Sequence, residues 1–365
     1  MTNKHQEEQS KTKRKRTVQT IWNDRPAVAL IALTIALAFV FVGLLPRFIG
    51  EDISVEDQIG DVLGQGGANY RHPITGIPSH EPIEDLQIFG VMIDNHFQAW
   101  PPSGIDQALL VVEAPVEGRI TRMIAFFDET QEVDVIGPVR SARPYYLDWN
   151  NELDALYAHV GGSNAALDLI ASGVTFDLNQ YYNGSYFWRS TQRYAPHNVY
   201  TSTEEMKEYV SIREEAQRAP DLLYGVWQFK SPENGGEDAQ SVSIEYAPPV
   251  YVADWEFDLE TRTYLRSQGG ISHRTDAGVQ IAVDNVAIVI TDIEVIDSVG
   301  RRLVETIGEG EAFVMQDGIV IEGMWKKSSA SERLRFYDAF DEEVKMNVGK
   351  TWIQVVGSVD DVTFE

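Results

Sequence analysis

The 365-residue chain contains no cysteine. That excludes disulfides, zinc–thiolate and iron–sulfur sites, thiol catalysis and a lipid-modified cysteine. Basic residues are scarce as well: 30 Lys and Arg stand against 56 Asp and Glu, a formal charge of −26 at pH 7. Phosphate backbones are held by Lys and Arg, so no nucleic-acid partner is expected. There is no Walker loop, dinucleotide fingerprint, EF-hand loop or His-Glu-x-x-His, and the seven histidines are scattered. No cofactor and no metal are therefore expected. Asp94-Asn95-His96 reads as a polar cluster closing a strand rather than as a metal site.

What is present is unevenly distributed. Met1 to Arg25 hold seven basic and three acidic residues, net +4, which leaves −30 for the remainder. Ala27 to Leu45 is apolar almost throughout. At a rise of about 1.5 Å per residue it spans about 28 Å, close to the hydrocarbon thickness of a bilayer. The flanking positive charge keeps the N-terminus in the cytoplasm. The expected layout is a basic cytoplasmic tail at 1–25, a transmembrane signal anchor at 26–46 and extracytoplasmic chain beyond. A cleaved signal peptide is the alternative, Ala36-Leu37-Ala38 resembling a cleavage site, but this site lies inside the run and the run exceeds the usual core length.

Residues 47–82, with five glycines and three prolines between Glu51 and Pro82, read as a flexible tether. Three apolar runs of strand length follow: Gln87–Asp94, Leu109–Glu113 and Thr121–Phe127. Continuous apolar strands are buried on both faces, which calls for covering helices. Ser163–Ser172, followed by Gly173, and Ser202 toward Gln217 carry N-cap signals for two helices. Residues 83–230 thus read as an α/β domain with a mixed sheet. Ser231-Pro-Glu-Asn-Gly-Gly-Glu-Asp238 marks a linker at 231–239. Alternation at Val242–Tyr246, Val279–Val283 and Trp352–Val356, with frequent turns, predicts a mostly antiparallel β-rich domain at 240–362. The fold class is α+β.

Three constellations carry chemistry. In Ile136-Gly-Pro-Val-Arg140-Ser-Ala-Arg143-Pro-Tyr145, Arg140 and Arg143 precede a helix start, where free N–H groups favour an anion. Internal pairing with Asp94, Glu113 or Asp148 is the plainer reading of both arginines. His159-Val-Gly-Gly-Ser163-Asn-Ala165 loosely fits a nucleophile elbow, with His159 or His197 as base, although a helix-capping Ser163 explains the same residues. Tyr181–Asn198 crowds aromatic rings with Arg189, Arg193 and His197, the mixture with which a loop grips flat or amphipathic ligands, although rings packed against the underside of a long loop explain the same residues.

These segments resemble the YerB-like family of bacterial cell-surface proteins, often lipoproteins. The resemblance is carried by Pro73–Gly76, Val91–His96, Glu113–Arg122, Gly137–Tyr145, Asp154–Ser163, Tyr186–Arg189 and Ala195–Ser202. Val283–Val286, Gly323–Lys326 and Gly349–Ile353 extend it to about residue 357. It implies an envelope location and two globular parts and supplies no activity. Without a lipobox cysteine, the apolar helix must anchor this chain.

The functional expectation is a membrane-anchored envelope protein that binds an anionic or glycan-like wall component or a partner protein. Its contact surface would hold Arg140, Arg143, Tyr145, His159, Trp188, Arg189, His197 and Asn198. The alternative is a cell-wall hydrolase or transferase using Ser163, Asp94 or Glu113 with His159 as base.

Overall fold

A computed structural model describes residues 70–80, 83, 86–213, 226–233 and 241–364. The basic tail, the apolar run Ala27–Leu45 and most of the linker at 231–239 lie outside the described residues. Among the described residues, no helix is long and apolar enough to cross a membrane.

The apolar runs become strands as expected: β1 (Ile88–Asp94), β2 (Leu110–Pro115) and β3 (Thr121–Asp128), every residue buried. They are joined by β4 (Leu156–His159) and β5 (Phe176–Asn179). Beyond the linker come β6 (Ser241–Ala247), β7 (Tyr251–Asp258), β8 (Thr263–Gln268) and β9 (Asn285–Ile290). β10 (Gly308–Gln316), β11 (Ile319–Lys327), β12 (Arg335–Asp338), β13 (Thr351–Val356) and β14 (Val362–Phe364) complete the strands needed here.

One ten-stranded mixed sheet runs β12-β11-β10-β9-β13-β2-β3-β1-β4-β5. It draws strands from both sides of the linker, and the seam is the parallel pairing of β13 with β2. A second, antiparallel sheet is built on the order β8-β7-β6-β14. Residues 69–365 form one compact unit.

α1 (Pro144–Asn151) and α2 (Asn164–Ala171) cover one face of the large sheet, where Met92, Val112, Phe126 and Ile353 pack with Tyr145, Tyr146 and Trp149. A Cβ on Gly90 would lie 2.3 Å from Asn150 Oδ1, so glycine is what lets α1 settle onto β1. The other face differs from expectation. It is covered by the second sheet, with Trp255, Phe257 and Tyr264 inward, and by Met206 and Tyr209 of α3 (Thr203–Ser211). Trp352–Val356 also departs from its alternating pattern: β13 is central and buried on both faces, so Gln354 lies in the core, accepting a hydrogen bond from Tyr246 Oη at 2.7 Å. Part of the expected tether is built into the structure. His72 Nε2 lies 2.9 Å from Asp128 Oδ2 and Ile74 is fully buried, because one apolar side chain and one imidazole find core partners.

The two sheets are joined by a buried polar network. Glu113 Oε2 of β2 accepts from Arg266 Nη2 of β8 at 2.8 Å and from Trp352 Nε1 at 3.1 Å. Glu113 Oε1 accepts from Thr121 Oγ1 at 2.6 Å, and Asn95 Nδ2 lies within 3.1 Å of Glu113 Oε1 and of Gln268 Oε1. The Arg266 guanidinium sits 5.0 Å from the Trp352 ring and 5.6 Å from that of Trp255. His273 Nδ1 bonds Arg266 Nη1, and burial, then the Arg266 charge, hold its pKa well below 6.5.

Because folded His273 stays neutral where the unfolded imidazole is protonated, the unfolded chain binds more protons below pH 6.5. Its contribution is intact above that pH and is lost as pH falls. Chemical denaturation at pH 7.5, 6.5 and 5.5 is expected to show stability falling over the lower interval by up to about 1.4 kcal/mol per pH unit from this group. His273→Asn, which keeps a polar partner and cannot titrate, is expected to flatten that slope; an unchanged slope would remove His273 as its cause.

Candidate functional site

Tracing the pairings shows that β5, β4, β1, β2, β13 and β9 all run in one direction. Their carboxyl ends therefore fall along one edge of the sheet, the location where open sheets with parallel strands place ligand sites. His159, Asp94 and Pro115 are the last residues of β4, β1 and β2.

Asp94 is the hub of this edge. It is buried, and its Oδ2 accepts from His197 Nδ1 at 2.6 Å and pairs with Arg140 Nε at 3.1 Å. Its Oδ1 accepts the His96 N–H at 2.9 Å. With Nδ1 engaged by the carboxylate, the other ring nitrogen, Nε2, has no partner among the described residues. The His96 ring stacks on His197, centroids 4.7 Å apart and planes 20° from parallel. Burial first, then the neighbouring His197 and Arg140, lower the His96 pKa against the opposing pull of Asp94.

Two loops bring these groups together. Residues 136–142 run alongside the end of β1, with the Asp94 N–H on Pro138 O at 2.9 Å and the Arg140 N–H on Met92 O at 2.8 Å. Trp188–Arg189 and Val199–Tyr200 form a short ribbon that carries the 190–198 loop. Arg193 fastens this loop to the segment after β1, donating to Gln98 O at 3.2 Å and Trp100 O at 3.1 Å. Between the two lies a groove of about 570 Å³ lined by Phe97, Gln98, Trp100, Gln192, Arg193, Tyr194, Ala195 and His197. Phe97 is 54% and Tyr194 92% exposed, large apolar surface to leave in water. Trp100 Nε1 donates to Asn95 Oδ1 at 2.8 Å, which ties the groove wall to the Glu113 network.

The residues singled out from the sequence are divided by the structure. Arg140, His197 and Asp94 meet directly. Arg189 and Asn198 sit on the same loop and bond each other, Arg189 Nη1 to Asn198 Oδ1 at 2.9 Å. Trp188 stacks on Tyr200 with centroids 6.3 Å apart. The others are engaged elsewhere. Arg143 forms a fork with Glu117, Nε to Oε1 at 2.9 Å and Nη2 to Oε2 at 2.8 Å, because the turn after β2 brings that carboxylate to the start of α1. Tyr145 is buried on the α1 face with its hydroxyl on Pro115 O at 3.0 Å, and burial raises its pKa well above the usual tyrosine range. His159 is fully buried, its ring nitrogens 2.7 Å from Gly161 O and 2.6 Å from Asp177 Oδ1. Ser163 caps α2, its Oγ accepting the Ala166 N–H at 3.3 Å, and no hydrogen bond joins it to His159. Glu113 is spent on holding the sheets together. The Ser163–His159 pairing therefore does not form: the turn that caps a helix and the strand end that buries an imidazole keep the two groups apart.

Phe97, Gln98 and Trp100 of the groove are not among the candidates drawn from the sequence, and neither is Arg122, which lies opposite Asp94 on β3. The one available signal was Phe97-Gln-Ala-Trp100-Pro-Pro, an aromatic and proline-rich loop directly after a buried strand.

Comparison with known proteins places this architecture. The N-terminal-domain profile of a family described as proteins of unknown function, DUF3048, matches residues 74–216, and its C-terminal-domain profile matches 242–353. A Bacillus subtilis (strain 168) protein named “Putative lipoprotein YerB” is 30% identical over 332 residues, 89% of this chain and 95% of its own. The crystal structure of YerB from Bacillus subtilis superposes with a TM-score of 0.72 at 28% identity, covering 81% of this chain and all of that one. The chain is a YerB-like member of the DUF3048 family.

Proposed function

We propose that this is a membrane-anchored envelope protein whose outward-facing part binds a glycan-like ligand in the groove between the segment after β1 and the 190–198 loop. The observation that carries this reading is the pairing of exposed rings, Phe97 and Tyr194, with amide, guanidinium and imidazole groups at the carboxyl edge of the sheet. Sugar rings present an apolar face to an aromatic and hydroxyls to such polar groups, so one groove serves both. The description of the Bacillus subtilis relative as a lipoprotein supports the envelope location.

In this reading Arg143 and Tyr145 shape the loop and the α1 face and do not touch ligand. Binding of soluble, neutral β-linked N-acetylglucosamine oligomers to the full chain in detergent micelles tests it. Tyr194→Ala and Phe97→Ala are each expected to weaken binding about tenfold, or ~1.4 kcal/mol, with little change in thermal midpoint. Undiminished binding in both variants would remove the groove.

The anchor is the apolar run Ala27–Leu45, with the globular part outside. Protease added to intact cells is expected to digest residues beyond 47 and to spare the tail; protection of the whole chain would reverse the topology.

A second reading is favoured by the 2.6 Å Asp94–His197 pair beside an open groove, the arrangement of an oriented general base. Here His197 replaces His159 as the base of a wall hydrolase, with water as nucleophile. Release of reducing ends or of acetate from purified wall material, absent in His197→Gln, would establish it; equal release by wild type and variant would exclude it.

A further inference from the structure

Arg122, the second residue of β3, lies opposite Asp94 in the β1–β3 register and is only 5% exposed. Its Nη1 donates to Ser141 O at 2.7 Å, two residues before the N-cap of α1. Nε is buried without a hydrogen-bond partner, and no carboxylate forms an ion pair with this side chain among the described residues. A buried guanidinium left without a counter-charge is costly, because desolvation is not repaid by pairing. Burial, together with Arg143 and Arg140, lowers its pKa, and Asp94 opposes this. In a chain with nearly two acids per base, three arginines converge here on two carboxylates, Asp94 and Glu117, each already bonded to another arginine. α1 opens on this cluster with Pro144 at its first position, no side-chain cap and no acidic residue in its first turn. The helix itself thus supplies no group for its positive end, and the nearby Glu117 carboxylate is taken up by Arg143.

We propose that Arg122, Arg140 and the start of α1 form a subsite for an oxyanion, the charged substituent of an acidic glycan whose sugar rings occupy the groove. The subsite and the groove are physically joined. Arg140 reaches Pro196 O of the groove loop at 3.3 Å, and Asp94 binds Arg140 and His197 on the same oxygen. The assignment rests on the groove reading for the rest of the ligand, whereas the anion itself is testable alone.

The test is thermal unfolding of the full chain in neutral detergent micelles, titrated with inorganic phosphate or with acetate at ionic strength fixed by sodium chloride. A ligand that binds the folded state raises the midpoint in a saturable way, unlike general salt screening. Wild type is expected to show such a rise. Arg140→Gln is expected to weaken the apparent affinity at least tenfold, and Arg122→Met to abolish the response. A response to phosphate alone identifies a phosphate ester as the natural group, and an equal response to acetate identifies a sugar acid. No saturable rise with either anion, or a rise unchanged in both variants, overturns the subsite. Should Arg122→Met fail to fold, Arg140→Gln decides. Binding of the neutral oligomers is measured on the same preparation, so a lost groove with a retained anion response is told apart from the reverse.

Discussion

The Arg266–Glu113 pair is the interaction on which the rest of the structure depends. Both side chains are essentially without solvent, 2.8 Å apart, one from each sheet. Removing either partner of such a buried pair typically costs about 3–5 kcal/mol, because the survivor is a charge without water. The pair is closed off by two indoles, with the Trp255 and Trp352 rings 5.4 Å apart at 64°, and by the amides of Asn95 and Gln268. This fixes not only that the sheets pack but in which register, since an ion pair tolerates displacement far less than apolar contact does.

The same network reaches the surface. Asn95 immediately follows Asp94, and its side chain joins Glu113, Thr121 and the Trp100 indole. The groove wall is thus held from beneath by groups that cannot move without unsatisfying a buried carboxylate. Asp94, one residue back, points to the opposite face, as alternation along a strand requires. There it meets Arg140 and His197, so two consecutive residues at the end of β1 serve the inter-sheet network and the edge site. A second buried cluster, Glu152 with Lys327 and Arg333, ties the end of α1 to the far strands in a comparable way.

Much of the fold was legible in local patterns. The runs at β1, β2 and β3, the Ser163 and Ser202 caps and the alternation of β6 all depend on near neighbours in sequence. What escaped was pairing over long separations. Arg140 and Arg143 look alike three residues apart, but Arg143 finds Glu117 across the α1 start whereas Arg140 finds Asp94 at a strand end. His159 and His197 are likewise indistinguishable as letters, yet one closes β4, whose residues are all buried, and the other lies on the loop that lines the groove. The alternation at Trp352–Val356 likewise does not show that β13 is buried on both faces, because the pattern says nothing of how many strands flank it.

By itself, the sequence determined the class of the fold, the helix starts, the acid-rich surface and the family to which the chain belongs, since these follow from composition, short-range periodicity and motif. Only the tertiary structure decided that strands from both sides of the linker share one sheet, and that one arginine is neutralised, one is shared and one is buried without a counter-charge. The reason is physical: the energy of a charge is set by what lies within a few ångströms in space, and chain folding brings residues 113 and 266, or 94 and 197, to that distance without leaving any mark on their neighbours in sequence.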